Sequence, residues 1–140
     1  MIPAKLYKKI VELVPIVCVD VILEYKGSYL LVERATEPLK GLWWIVGGRA
    51  NKDEHTLKTA RRKVKEELGL EAFSFEVVGI YEDHYPKSAW GTPTSSMSVV
   101  YRAKLKRLNY KLDKTVLRVG LFDELPKRLI KKIIWINNQK

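Results

Sequence analysis

One cysteine, Cys18, is the only thiol in 140 residues, so no disulfide can form within the chain. Its place in the apolar run Ile16 to Leu23 reads as a small buried core residue. Long hydrophobic runs are also missing. Met1 to Leu13 lacks the continuous apolar region of a signal peptide, and no stretch approaches the length of a membrane span, so a cytoplasmic protein without a membrane partner is expected. Repeats, low-complexity stretches and a clear linker are absent, which predicts one domain over residues 1–140, long enough for a sizeable core. Acidic residues are scarce beside basic ones, 16 against 26, giving a net charge of +10. The bases lie in small groups, Lys8-Lys9, Arg61 to Lys65, Lys104 to Lys111 and Lys127 to Lys132, with no interleaved aromatic stripe and no nucleic-acid motif. They read as a solvated surface whose field draws in an anionic small substrate, and nucleic acid is not expected as a partner.

What the chain does carry is concentrated between Gly41 and Leu70, GLWWIVGGRANKDEHTLKTARRKVKEELGL. Leu57, Ala60, Val64 and Leu68 recur at helical spacing and form one stripe facing a core. Lys63, Glu66 and Glu67 fall together on the far side, and two carboxylates held side by side there call for a cation. Asp53 or Thr56 would start this helix and Gly69 end it. Gly47-Gly48 precedes it and brings backbone carbonyl and amide groups close to a ligand. Oxygen-only ligation by carboxylates and a glycine carbonyl favours magnesium or manganese.

Gly48, five residues, Glu54, seven residues and then Arg62-Lys63-Val64-Lys65-Glu66-Glu67-Leu68-Gly69-Leu70 resemble the signature of the Nudix hydrolases, with one departure. Lys63 stands where that family has a glutamate. The resemblance spans about Val14 to Leu125 and implies a Nudix-type α/β/α sandwich with a mixed sheet, and a magnesium-dependent hydrolase of a nucleoside diphosphate linked to another moiety. It implies Glu66, Glu67 and the Gly48 carbonyl as metal ligands, and a brace between Glu54 and Arg62. Lys63 places a fixed positive charge beside the pair, which disfavours several metals. Three readings stay open: a one-metal enzyme, a lysine that contacts phosphate, or a site without catalysis.

Within the family, the chain is most similar to the GDP-mannose mannosyl hydrolase branch. The residues that carry this are Pro15, Val17 and Asp20, then Leu30-Leu31 and Arg34, then Gly41, Trp43 and Gly47-Gly48-Arg49, with Val46 in place of a proline. By that resemblance Arg34 and Arg49 contact the diphosphate, guanidinium being suited to phosphate by its bidentate fork. Arg49 and Lys63 join the catalytic candidates. The base is left among Asp113, Asp83, His84 and Glu82, with Lys114 aligned to the branch's histidine. A homodimer is expected by the same resemblance.

Lys5 to Leu13 predicts an amphipathic helix with Leu6, Ile10 and Leu13 on one side, ended by Pro15. Ile16 to Tyr25 and Tyr29 to Glu33 predict a hairpin across Lys26-Gly27-Ser28. Phe73 to Tyr81 and Met97 to Leu105 predict strands. Glu82 to Ser96 then becomes a long loop, and by the family resemblance, which implies substrate-selecting loops in comparable positions, Tyr85 and Trp90 are candidates to meet a base or sugar. Val116 to Val119 predicts a last strand, and Asp123 with Pro126 starts a helix through Trp135. Nucleotide sugars lead among the substrates considered. The alternatives are a non-catalytic nucleotide-binding module, or hydrolysis of ADP-ribose, nucleoside triphosphates or RNA ends.

Overall fold

The β-branched run Ile16, Val17, Val19, Val21 and Ile22 makes β1 (Ile16–Tyr25) the strand to which most others attach. In this computed structural model, which describes residues 1–136, β1 runs parallel to β6 (Thr94–Leu105), from Ile16 opposite Ser96 to Glu24 opposite Lys104. Its other edge is divided. A hairpin over Lys26-Gly27 brings β2 (Ser28–Arg34) against Leu23 to Tyr25, while β4 (Val46–Arg49) pairs with Cys18 to Val21. Strands β3 (Trp43–Trp44) and β7 (Val116–Phe122) add to β2, and β5 (Ala72–Tyr85) adds to β6. The sheet is mixed, in the order β3-β2-β1-β6-β5-β8, with β8 being Ile134–Trp135.

Alternation along β1 builds a core on each face of the sheet. Val19, Val21 and Leu23 join Leu30, Val32 and Val46 beneath α2 (Thr56–Leu68). From α2 the predicted stripe contributes Ala60, Val64 and Leu68, each at most 1% exposed. Burial of each larger side chain there is worth about 2 kcal/mol. Leu57, at the stripe's edge, is 38% exposed. Ile22, Leu31, Trp44, Val78, Tyr81 and Val100 form the second core with Leu129 and Ile133 around α3 (Lys127–Lys132). This is the α/β/α arrangement the sequence predicts.

Four local expectations change. The C-terminal helix stops at Lys132, starts after Pro126 rather than at Asp123, and gives way to β8, which pairs with Gly79 and Ile80 of β5. The β-branched run Ile133-Ile134 favours extended backbone, and Gly79 makes room, since a Cβ there would lie 2.7 Å from the Ile134 carbonyl oxygen. The long loop after Tyr81 contracts to residues 86–93, because β5 continues to Tyr85 with Tyr81, Asp83 and Tyr85 buried and Glu82 and His84 exposed. β7 extends to Phe122 and is not the last strand. Helix α1 (Ala4–Leu13) buries Val11, whereas Leu6 and Leu13 are exposed. At α2, the left-handed Gly69 caps the C-terminus as expected, while Asp53 lies at φ 64° outside the helix and His55 is the residue before its start.

Candidate active site

On one face of the sheet, Ile16, Cys18 and Asp20 of β1 stand beside Ser96 and Ser98 of β6, and with β4 they floor a cleft of about 280 Å³. Its walls bring together Arg34, Arg49, Lys63, Glu67, Tyr85 and Trp90, candidates drawn from five separate stretches of sequence. Arg34 is held by its Nε donating to the Pro38 carbonyl at 2.6 Å. The Arg49 guanidinium lies 5.0 Å from the centre of the Tyr7 ring, and Trp90 meets that ring edge-on at the same separation. Tyr7, on α1, was not foreseen: its helical spacing gave no reason to single it out from Leu6 and Ile10.

The brace at the start of α2 is present. Arg62 donates from Nε and Nη2 to the two Glu54 oxygens at 2.9 Å each, and from Nη2 to the Arg49 carbonyl at 3.0 Å. Thr59 also donates to Glu54 at 2.7 Å. One arginine thereby ties the loop at residues 50–55 and the end of β4 to the helix. The Arg62 and Thr59 hydrogen bonds hold the Glu54 carboxyl well below the usual range.

Lys63 bridges the glutamate pair. Its ammonium lies 3.3 Å from Glu66 Oε1 and 3.2 Å from Glu67 Oε2. Its stem crosses Gly48, where a Cβ would come within 2.6 Å of Lys63 Cε. Glu66 is additionally held by Arg62 at 3.1 Å and points to solvent, 46% exposed at its side chain. Glu67 is buried in the cleft, and burial pushes its carboxyl up to about 7 against the opposing charge of Lys63. As the side chains stand, the set named for a metal does not fit one: the cation between the carboxylates is the lysine. Among the described residues no three His, Cys, Asp or Glu side chains converge on a common point.

The expected bases fall elsewhere. Asp83, 1% exposed at its side chain, accepts hydrogen bonds from Arg128 and Lys132 at 2.6 Å each and from the Tyr81 hydroxyl, tying α3 to β5. His84 and Glu82 lie on the exposed side of β5, and His84 borders a separate surface groove with Val14 and Pro15. Asp113 receives hydrogen bonds from the Thr115 amide and hydroxyl, and its own amide donates to the Glu67 carbonyl, so it backs Glu67 without lining the cleft. Lys114 is exposed.

Two cleft residues carry more chemistry than their spacing suggested. Asp20 is half-buried at the floor; burial pushes its carboxyl up to about 6, although a hydrogen bond with Ser98 and the charge of Arg34 oppose the rise. Cys18 lines the same floor instead of the core, half-buried, with its thiol pushed up to about 12 mainly by burial, so it stays protonated. Period-2 alternation from Cys18 to Asp20 places both on one face and was the available signal. Gly47 is shaped by this floor: a Cβ would fall 1.9 Å from Asp20 Oδ1 and 2.5 Å from the Val19 carbonyl oxygen. Gly47→Ala is therefore expected to cost about 3 kcal/mol, read as a lowered urea midpoint.

The NUDIX domain model matches residues 14–123, and the chain belongs to the Nudix family. It is 34% identical over 87 residues to the low-salt glycan biosynthesis protein Agl8 of Haloferax volcanii, covering 62% of this chain and 56% of that protein. It is 34% identical over 67 residues to an ADP-ribose pyrophosphatase of Methanocaldococcus jannaschii, covering 48% and 40%. The chain thus spans about half the length of these curated relatives. The crystal structure of a MutT Nudix hydrolase from Burkholderia pseudomallei superimposes with a TM-score of 0.69 at 23% identity, covering 81% of this chain and 88% of that one, and shares the fold. No helix among the described residues is long and apolar enough to cross a membrane.

Proposed function

We propose that this protein hydrolyses a nucleoside-diphosphate-linked compound, with nucleotide sugars such as GDP-mannose first among its substrates. The observation that carries the reading is the convergence of Arg34, Arg49 and Lys63 on one cleft that Tyr7 and Trp90 also line. Three fixed cations suit the charge of a diphosphate, and the aromatic pair offers a face to a base or sugar ring. Similarity to a glycan biosynthesis protein supports a sugar nucleotide, and similarity to an ADP-ribose pyrophosphatase supports the diphosphate.

The chemistry is carried by side chains. Arg34 and Arg49 would hold the diphosphate oxygens and stabilise charge that grows on them as the bond breaks. Glu67 and Asp20 line the cleft, as does Glu37, which is engaged by the Lys40 amide, and the first two replace Asp83, His84 and Asp113 as candidates to take a proton from the attacking water. Attack at phosphorus gives a nucleoside monophosphate, and attack at the sugar carbon gives an intact nucleoside diphosphate and free sugar. The mannosyl hydrolase resemblance favours the second. Magnesium, with manganese as the alternative, is the ion to supply with the substrate, as the family resemblance implies.

The test is turnover of GDP-mannose, ADP-ribose and a nucleoside triphosphate, with Arg34→Ala and Arg49→Ala beside the wild type. Each arginine lost from a diphosphate contact is expected to lower kcat/KM by about a hundredfold. Activity untouched by both substitutions would reject this cleft. The bridged glutamates favour one second reading, a nucleotide-binding module without turnover, and micromolar nucleotide binding with no product would select it. A homodimer remains part of the proposal by the same resemblance, and a cytoplasmic location is proposed beside it.

A further inference from the structure

We propose that Lys63 is the resident cation of this site, closing the Glu66 and Glu67 pair to divalent ions in the substrate-free protein. Positions 63, 66 and 67 are spaced i, i+3 and i+4 on α2, so whatever side chain stands at 63 meets both carboxylates. A carboxylate there would add a third oxygen donor. The lysine instead fills the space between the two it meets, at 3.2 and 3.3 Å.

Three features hold it there. The side chain is only 16% exposed, so its charge is little screened by water. Its stem lies over Gly48, and the missing Cβ is what lets it pass. Its partner Glu67 is buried and gains a compensating charge from it. A magnesium or manganese ion would need the same oxygens at about 2.1 Å, next to an ammonium that repels it. Arg62 already engages the outer oxygen of Glu66 at 3.1 Å, so turning that carboxylate toward an ion breaks a second pair. The ammonium thus supplies inside the cleft one of the positive charges that a metal would otherwise bring.

This inference stands apart from the reaction proposed above, because it concerns the substrate-free protein. The test is manganese binding to the full chain, followed by the electron paramagnetic resonance of free manganese ion, for wild type, Lys63→Arg, Lys63→Gln and Lys63→Glu. Wild type and Lys63→Arg are expected to bind weakly, in the millimolar range. Lys63→Gln is expected to bind at least about tenfold more tightly, and Lys63→Glu more tightly again. Thermal melts establish folding, and Lys63→Gln, which keeps nearly the same length, decides the matter should Lys63→Glu not fold. Micromolar binding by the wild type, or the same constant for wild type and Lys63→Gln, overturns the proposal. Absence of turnover together with the expected manganese series would remove only the hydrolase reading.

Discussion

Asp20→Asn is expected to make the protein more stable at pH 7 and, at the same time, to lower turnover by roughly a hundredfold. The sign follows from the raised carboxyl. Asp20 titrates at about 6 in the fold against 3.8 in the unfolded chain, so between those values the native state holds more protons. Its contribution to stability is full below pH 3.8 and is lost as pH rises through 6. Above that, the ionised carboxylate costs on the order of 3 kcal/mol, reduced by whatever the asparagine loses at Ser98. Urea unfolding at pH 4 and pH 7 reads this directly: the variant and wild type should nearly coincide at the lower pH and separate at the higher. A carboxylate kept at such a cost on the floor of a cleft is explained by work done there. Equal turnover in the variant would leave Asp20 as a structural residue.

Asp83→Ala has the opposite sign and a comparable size. Burial alone would raise this carboxyl, but the hydrogen bonds from Arg128, Lys132, Tyr81 and the His84 amide outweigh it and hold it below the usual carboxylate range. Its stabilisation is present above the unfolded value of 3.8 and is lost as pH falls through the lower folded value. Removing it leaves two cations that can turn to solvent and a Tyr81 hydroxyl that cannot easily do so, for a loss of about 3 kcal/mol at pH 7. In a chain of this size that is a fall in Tm of about 10 °C. The variant should therefore unfold earlier at neutral pH, and its disadvantage should shrink in acid. Because Asp83 lies outside the cleft, KM should stay within about twofold of wild type at a temperature where the variant is folded.

The account of α2 was readable in advance because its information is local. The stripe of Ala60, Val64 and Leu68 and the stop at Gly69 follow from spacing along one helix, and the tie from Glu54, in the loop before it, to Arg62 came with the family resemblance. Arg34, Arg49, Tyr85 and Trp90 reached the cleft through resemblance, as they come from distant stretches. Register decided what was missed. The parallel pairing of β1 with β6 sets Cys18 beside Ser98 on the cleft floor; alternation within the run from Ile16 to Leu23 puts Cys18 on the face of Asp20 but does not say that this face meets a cleft. Tyr7 depends in the same way on how α1 settles over the sheet. Ile134 and Trp135 read as helix by periodicity, yet the free edge of β5 at Gly79 captured them as a strand. Asp83 was a base candidate by residue type, and only α3 folding back over β5 turned it into a structural anchor.

The most direct test of the central claim is turnover of a nucleotide sugar in water enriched in heavy oxygen, with the products separated and weighed. The account predicts hydrolysis that depends on Arg34 and Arg49, with the label on the free sugar and the nucleoside diphosphate unlabelled. Label on a phosphate would keep the hydrolase and move the attack to phosphorus. No hydrolysis of any compound in the panel, with magnesium or manganese supplied, would contradict the claim and leave a cleft that binds nucleotides without cutting them.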